Sequence, residues 1–253
     1  MNDVLLNPAS LREMVLRGDE RIVDFGSGLG QFTRAMARAV PRGSVVGLEQ
    51  NQSQLEGARR LASADGEESL ADFRPADVLD GGLSEKEWGT FDVAHARFVL
   101  EHVRDPLGVV RNMMRAVRPG GRIVLADDDH ELMRLWPEPS GFTDLWRAYI
   151  RSYDRNGTDP FVGRRLVALL HEAGARPRRN TLLFFGGCAG MESFEVLAAN
   201  MIGVATTARE MIVGADLMQR AAFDAAVEHF HAWSKRPDSA LWYAMSWAEG
   251  LRP

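Results

Sequence analysis

The chain has 253 residues, of which 45% are hydrophobic and 26% charged, so it can form one large domain around a sizeable core. Its formal net charge of −5 provides no general attraction to nucleic acid or to an anionic membrane. A single cysteine, Cys188, excludes an intrachain disulfide and suits a reducing cytoplasm, and we expect its thiol to be buried in an apolar stretch.

Strands and helices alternate along the first half of the chain. Asn7-Pro8 suits the start of a helix reaching Arg17, because Asn caps helices and Pro fits the first helical position. Apolar runs then predict strands at 21–25, 44–49, 71–75, 91–96 and 122–128, with helices at 31–40, 52–62 and 105–117. This alternation implies a parallel sheet covered by helices, whose ligands bind beyond the carboxyl ends of the strands.

The alternation ends after Asp129. Residues 130–158 indicate a helix flanked by turns, and residues 190–235 are largely helical. Between and after them lie a helix at 163–174 and strands at 180–187 and 240–251. We predict a single domain over residues 1–253, with helical insertions at 130–160 and 190–235 that form a lid over the site.

The stretch "VDFGSGLGQF" follows the first strand and carries glycines at 26, 28 and 30. Glycine lets the backbone approach a ligand closely, and the helix beyond the turn offers free N–H groups. The dinucleotide fingerprint G-x-G-x-x-G needs a glycine at position 31, where Gln31 stands. Glu49 ends the second strand, where a carboxylate can accept the ribose hydroxyls of NAD or another adenosyl ligand.

Two further features lie beyond the third strand. The carboxylate of Asp77 could accept from an adenine amino group while the N–H of Val78 meets a ring nitrogen. Pro119 ends a helix, and Gly120 and Gly121 bend the chain into the fifth strand.

These motifs together resemble, in order and spacing, those of the class I S-adenosylmethionine-dependent methyltransferases. The resemblance spans about residues 20–130 and is greatest to the small-molecule branch that includes the ubiquinone and menaquinone methyltransferases. It is carried by "VDFGSGLGQFT", Glu49, "ADV" at 76–78, "FDVAHARFVLEHVRDP" and "RPGGRIVLADDD".

The resemblance implies a Rossmann-like, doubly wound α/β fold with a mostly parallel seven-stranded sheet. It also implies S-adenosylmethionine as cofactor and S-adenosylhomocysteine as product. The glycine turn would meet the methionine moiety, Glu49 the ribose, Gln50 the adenine face, and the Ala96 carbonyl the ammonium. Arg97 would lie beside Ala96, and the sequence leaves open which way its side chain points. The residues so implied to bind the cofactor are Asp24, Gly26, Ser27, Gly28, Gly30, Glu49, Gln50, Asp77, Val78, Ala96 and Arg97.

Methyl transfer from a sulfonium is an in-line displacement, so alignment supplies much of the rate, and a base is needed only where the nucleophile carries a proton. His130, directly after the fifth strand, and His102, in "LEHV", are the candidate catalytic bases, whereas His95 lies within a strand and is expected to be structural. The "DDDHE" cluster at 127–131 offers oxygen ligands. Because adjacent residues rarely converge on one ion, we predict a polar pocket rim there and no metal site.

Both insertions carry aromatic and methionine side chains that could line an apolar acceptor pocket. Alternatively, these side chains pack the insertions onto the sheet or form a homodimer contact. The candidate substrate-binding residues are Trp136, Trp146, Tyr149, Tyr153, Phe194 and Met201.

We therefore predict methyl transfer to an O, N or C atom of a mostly apolar small molecule, such as a secondary metabolite or a quinone-like compound. Two alternatives stay open: a cofactor-binding member of the fold that does not methylate, and an NAD-dependent oxidoreductase. We expect no nucleic-acid partner. The amino terminus lacks a secretory signal, and no run of about 18 apolar residues predicts a membrane span, so a cytoplasmic location is expected.

Overall fold

The computed structural model describes residues 1–253, apart from the side chain of Asn2. Its first half alternates as predicted, with element ends shifted by a few residues. The elements are α1 (Asn7–Met14), β1 (Arg21–Phe25), α2 (Gln31–Ala39), β2 (Ser44–Glu49), α3 (Gln52–Ala64), β3 (Asp72–Pro75), β4 (Phe91–Arg97), α4 (Pro106–Ala116) and β5 (Val117–Asp128).

The second half contains the insertions and the last strands. Its elements are β6 (Arg134–Trp136), α5 (Phe142–Ser152), α6 (Leu166–Glu172), β7 (Arg176–Cys188), α7 (Glu192–Thr207), α8 (Arg209–Gly214), α9 (Arg220–Trp233) and β8 (Ala240–Leu251). Residues 190–235 thus hold three helices, and residues 130–160 hold a strand as well as the expected helix.

One eight-stranded sheet organises the molecule in the order β3-β2-β1-β4-β5-β8-β6, with β7 on the other side of β8. The first five strands are parallel neighbours, and β8 runs antiparallel to β5, β6 and β7. The mostly parallel α/β fold is confirmed. The predicted seven strands gain an eighth, β6, which is too short to give an alternating pattern and pairs with residues 240–242.

Helices cover both faces of the sheet. On one face α2, α5, α7 and α9 bury apolar side chains that include Met36, Trp146, Leu197 and Phe230. On the other face α4 and α6 pack Val110, Met113 and Leu169 against the strands. This arrangement leaves the carboxyl ends of β1, β2, β4 and β5 at one edge, where the prediction places the site.

The first helix differs from the prediction at both ends. A π-helical turn, Asn2–Leu6, precedes Asn7, which therefore lies inside the helix and does not cap it. The Asn7 side chain instead accepts a hydrogen bond from Arg97 at 2.8 Å. The helix ends at Met14 because Val15 adopts a left-handed conformation, with φ 46°. The hydrogen bond between Asn7 and Arg97, the last residue of β4, places α1 against the carboxyl end of that strand.

One expectation about an apolar segment is corrected by the structure. Cys188 is exposed, because alternate side chains of the edge strand β7 face away from the core. By length and composition alone, the segment Glu192–Gly214 is apolar enough to cross a membrane, although it contains no unbroken run of about 18 apolar residues. In this structure its side chains Phe194, Leu197 and Met201 are buried in the core.

Candidate functional site

A cavity of about 440 Å³ opens at the carboxyl ends of β1, β2 and β4, and we call it the donor cavity. Most of the predicted cofactor-binding residues line it. These are Asp24, Gly26, Ser27, Gly28, Gly30, Glu49, Gln50, Val78 and Arg97. The glycine turn and the second strand therefore meet at one site, as their order in the sequence indicated.

The glycine turn has left-handed backbone at Gly26 and Gly30, with φ 76° and 72°. Protein packing also requires glycine at both positions. A Cβ at Gly26 would lie 2.4 Å from Val99, and one at Gly30 would lie 2.4 Å from Phe73. These two glycines therefore serve the close packing of the turn.

Gly28 differs from its neighbours because its open side faces the donor cavity. Its φ is 56°, and an added Cβ would meet only the Gln54 Oε1 atom, at 3.2 Å. The Gly28 N–H donates to Glu49 Oε2 at 2.9 Å, and the Asn51 N–H donates to Glu49 Oε1 at 2.7 Å. These bonds fix the buried carboxylate, and each of its oxygens keeps acceptor capacity for a ligand hydroxyl.

The other end of the donor cavity is built on Asp24. Its carboxylate accepts from Thr33 Oγ1 at 2.6 Å and pairs with His95 Nδ1 at 2.7 Å. His95, expected to be structural, is only 1% exposed yet lines the cavity. The strand register that sets Asp24 beside His95 was the signal for this pair.

Two buried polar atoms among the described side chains lining this cavity have no hydrogen-bond partner, His95 Nε2 and Ser27 Oγ. Buried polar groups are nearly always paired, so these atoms indicate a polar ligand. Together with the open face of Gly28 and the fixed carboxylate of Glu49, they suit an adenosyl ligand with a charged amino-acid end.

The structure shows which way the Arg97 side chain points. It lies beneath α1 and lines the donor cavity. It donates to Asn7 Oδ1 at 2.8 Å and to Ser10 Oγ at 3.2 Å. The guanidinium lies 4.2 Å from the ring centroid of Phe32. Burial lowers the pKa of Arg97 to about 10, which keeps it charged at neutral pH.

Asp77 and Ala96 do not line the donor cavity. Asp77 is exposed, and its carboxylate accepts from the Leu79 N–H at 2.8 Å in a tight turn, so Val78 faces the cavity instead. Ala96 is buried inside β4, paired between Phe25 and Leu125. Their contacts with the cofactor therefore stay predictions.

A second cavity of about 190 Å³ adjoins the first, and we call it the acceptor cavity. Phe98 and His102 line both cavities. Four of the predicted substrate-binding residues lie in its wall: Trp146, Tyr149, Tyr153 and Met201. The remaining two do not, since Trp136 is 68% exposed on β6 and the buried Phe194 packs against Trp233.

His130 lies in a hydrogen-bonded network in the wall of the acceptor cavity. Its Nε2 atom is 2.9 Å from Glu101 Oε2 and 3.1 Å from the Tyr153 hydroxyl. Tyr153 also donates to Glu101 at 2.9 Å, and the Tyr149 hydroxyl is 3.0 Å from that of Tyr153. The Trp146 indole donates to the His130 carbonyl, which holds the backbone.

This network shifts the titration of its members. Burial alone would lower the pKa of His130, but its hydrogen bond to Glu101 and the nearby charge of Asp128 raise it above the ordinary value. Burial would raise the pKa of Glu101, but His130, His102 and Tyr153 hold it below the usual range. An ionised Glu101 therefore faces an imidazole that holds a proton more readily than free histidine.

The other candidate base, His102, is 60% exposed, and its Nε2 lies 3.5 Å from Glu101 Oε1. It is therefore less constrained than His130. Glu101, which lies between the two histidines, was missed by the sequence reasoning. The signal was present in "LEHV", where a 3₁₀ turn, Leu100–His102, directs its carboxylate inward.

Ligand atoms of Glu101, Asp128 and His130 all lie within 4.8 Å of one another. Asp128 and His130 belong to the 127–131 cluster considered in the sequence, and Glu101 joins them from the 3₁₀ turn Leu100–His102. In this part of the acceptor-cavity wall, two carboxylates and one imidazole lie close enough to bind one cation.

Comparison with known proteins agrees with this arrangement. A family model described as "Methyltransferase domain" matches residues 5–187. The ubiquinone biosynthesis O-methyltransferase of Pseudomonas aeruginosa is 34% identical over 143 residues, covering 56% of each chain. The demethylmenaquinone methyltransferase of Lysinibacillus sphaericus is 24% identical over 202 residues, covering 72% of this chain and 80% of that one.

Among solved structures, Haemonchus contortus phosphoethanolamine N-methyltransferase 2 in complex with S-adenosylmethionine shares the fold. Its TM-score is 0.60 at 15% identity, covering 98% of this chain and 52% of that chain. The chain spans about half the length of several curated relatives that it matches. The predicted family and enzyme class are confirmed: the chain belongs to the S-adenosylmethionine-dependent methyltransferases.

Proposed function

We propose that this protein transfers the methyl group of S-adenosylmethionine to a small, mostly apolar molecule bound in the acceptor cavity. The observation that carries this proposal is the contact between the two cavities, whose walls share Phe98 and His102. One cavity offers the polar groups that an adenosyl ligand needs, and the other is lined by five aromatic side chains together with methionine, valine and acidic residues. An acceptor would therefore lie next to the donor, as in-line transfer requires.

In this proposal the cofactor supplies a methyl group already activated by a sulfonium. Glu49 would accept the ribose hydroxyls, and the open backbone at Gly28 would let the adenosyl group approach closely. Ser27 Oγ and His95 Nε2 would complete their hydrogen bonds at the amino-acid end. Val78 and Gln50 would line the adenine end, and Asp77 and Ala96 are not needed.

His130 would receive the proton where the accepting atom is an oxygen or nitrogen that carries one. With its Nε2–H donating to Glu101, the neutral imidazole keeps a lone pair on Nδ1, which serves as the proton acceptor. The bound cofactor would supply the methyl carbon, whose bond to sulfur would break as its bond to the accepting atom forms, with S-adenosylhomocysteine as the leaving group. Glu101 would stabilise the imidazolium of His130.

The two insertions would act as a lid within a single domain. Tyr149 and Tyr153 line the acceptor cavity from residues 130–160, and Met201 lines it from residues 190–235. By enclosing the acceptor, they would exclude water from it. A quinone-like or secondary-metabolite acceptor, a cytoplasmic location and a homodimer through the insertions belong to this proposal as its finer parts. Family membership provides no support for the NAD-dependent alternative.

The test combines cofactor binding with product formation. Calorimetry should show that S-adenosylhomocysteine binds, and a panel of phenols, alcohols and amines should contain an acceptor that is methylated. His130→Gln should keep cofactor affinity and lose about 10²- to 10⁴-fold in turnover of a proton-bearing acceptor. His171→Gln, an exposed histidine on α6, is the matched control and should change neither quantity.

Cofactor binding without methylation of any acceptor would favour the non-methylating alternative. Absence of S-adenosylhomocysteine binding would contradict the proposal altogether.

A further inference from the structure

The carboxylates around the acceptor cavity differ in their partners. Asp129 forms an ion pair with Arg164 at 2.6 Å, and Glu101 faces the imidazole described above. Asp128 accepts a hydrogen bond from the neutral hydroxyl of Tyr243, and within the described side chains it forms no ion pair with Lys, Arg or His. Asp128 therefore has no cation at ion-pair distance, although the His130 imidazole lies nearby.

One oxygen of the Asp128 carboxylate accepts the Tyr243 hydroxyl, and the carboxylate lies in the cavity wall beside Glu101 and His130. A cation placed in the cavity would supply the ion-pair partner that Asp128 lacks.

The rest of the wall also suits a cation. The rings of Phe98, Trp146, Tyr149, Tyr153 and Tyr243 line the cavity, and aromatic faces attract ammonium groups. Neither lysine nor arginine occurs among the described residues of this wall. An anionic acceptor, such as a carboxylate or phosphate, would meet three acidic side chains in this wall, those of Glu101, Asp128 and Asp129, against the imidazoles of His102 and His130 and the amino end of Met1.

We propose that the acceptor carries a protonated amine, which binds to Asp128 while its apolar body packs against the aromatic rings. This inference rests on the proposed function, since it names the chemical class of the molecule in the acceptor cavity. The ammonium donates to the free oxygen of Asp128, and the surrounding hydroxyls of Tyr149, Tyr153 and Tyr243 provide further polar contacts.

A metal ion is the competing occupant, because Glu101, Asp128 and His130 offer three ligand atoms close together. The amine is favoured by two observations. Glu101 Oε2 already accepts hydrogen bonds from His130 and Tyr153, so a metal bound at that oxygen would compete with both. The aromatic wall adds attraction for an organic cation with an apolar body, whereas it supplies a hard metal ion with few ligands.

The experiment compares three probes of one shape: phenethylamine, phenethyl alcohol and phenylacetate. Each is titrated by calorimetry into protein saturated with S-adenosylhomocysteine, in buffer containing EDTA. The amine should bind roughly ten- to a hundredfold more tightly than the alcohol, as one charge-assisted hydrogen bond predicts, and the acid should bind most weakly. Equal affinity for amine and alcohol in the wild-type protein would overturn the inference without any variant.

Asp128→Asn keeps the shape of the side chain and removes its charge. It should abolish the preference for the amine and leave the affinity for S-adenosylhomocysteine unchanged, which shows that the protein is folded. Asp154→Asn, on the 3₁₀ turn Tyr153–Asn156, is the matched control and should keep the preference. A preference that survives Asp128→Asn contradicts the inference.

The competing result is binding of Mn²⁺ or Zn²⁺ that is lost in Asp128→Asn, together with no preference for the amine in EDTA. This result would show that Glu101, Asp128 and His130 hold a metal ion and would overturn the inference. The inference fails separately from the proposed function. Methylation of neutral acceptors with no amine preference would leave the function standing and reject the amine.

Discussion

Gly28→Ala separates the cost of backbone strain from the cost of filling the donor cavity. Gly28 has φ 56°, and its added Cβ would meet only the flexible end of Gln54. Gly66 has φ 70°, and an added Cβ there meets nothing within 4 Å. Gly66→Ala is therefore the control that measures the cost of backbone strain alone. A left-handed alanine costs about 1–2 kcal/mol, which lowers the melting temperature of a domain this size by roughly 2–8 °C.

Both variants should therefore lose similar stability, but only Gly28→Ala should lose cofactor affinity. A methyl group forced into a close-fitting contact costs about 1–3 kcal/mol, which corresponds to roughly 5- to 150-fold in the dissociation constant. Thermal unfolding and calorimetric titration with S-adenosylhomocysteine measure the two effects. If Gly28→Ala binds S-adenosylhomocysteine within twofold of the wild-type protein, the glycine turn does not hold the adenosyl group, and the assignment of the donor cavity is wrong.

Two further substitutions test the polar groups. Glu49→Gln keeps one acceptor oxygen but loses a charge-assisted hydrogen bond, so S-adenosylhomocysteine should bind about ten- to a hundredfold more weakly by calorimetry. The control, Glu56→Gln at an exposed position, should leave the affinity unchanged. Equal affinity of Glu49→Gln and the wild-type protein would show that Glu49 does not bind the ribose. Glu101→Gln removes the carboxylate that raises the pKa of His130, so the rate of methyl transfer should fall. The acidic limb of the pH–rate profile should move to lower pH, because the His130 imidazole stays neutral to a lower pH. An unmoved limb would show that His130 is not the titrating base.

The donor cavity could be predicted well because its parts are local in the sequence. The glycine turn joins β1 to α2 directly, and Glu49 ends the next strand, so one parallel pairing brings them together. Asp77 is the exception, since it is absent from the cavity lining and its carboxylate accepts from the Leu79 N–H in a tight turn after β3. Its direction depends on that turn, which spacing along the chain does not define.

The acceptor cavity could be predicted only in outline. Trp146, Tyr149 and Tyr153 were recognised from the aromatic composition of the first insertion, and they line the cavity from α5 and the 3₁₀ turn that follows it. Glu101 and Tyr243 were not, since they reach the cavity through a 3₁₀ turn and the last strand. Trp136 and Phe194 lie on the same insertions but face solvent and core. Composition identified the right segments, whereas side-chain direction came from tertiary packing.

The junction of the two cavities shows how the fold sets donor beside acceptor. Phe98 follows β4 in a left-handed conformation, with φ 55°, which costs a bulky residue about 1–3 kcal/mol. The turn is held by a hydrogen bond from the Phe98 N–H to Ala126 at 3.0 Å, and Asp127 accepts from the next two N–H groups. This anchoring leaves the Phe98 ring in both walls. Glycine would remove the strain but also the ring, so the strained turn is the means by which one side chain aligns two binding sites.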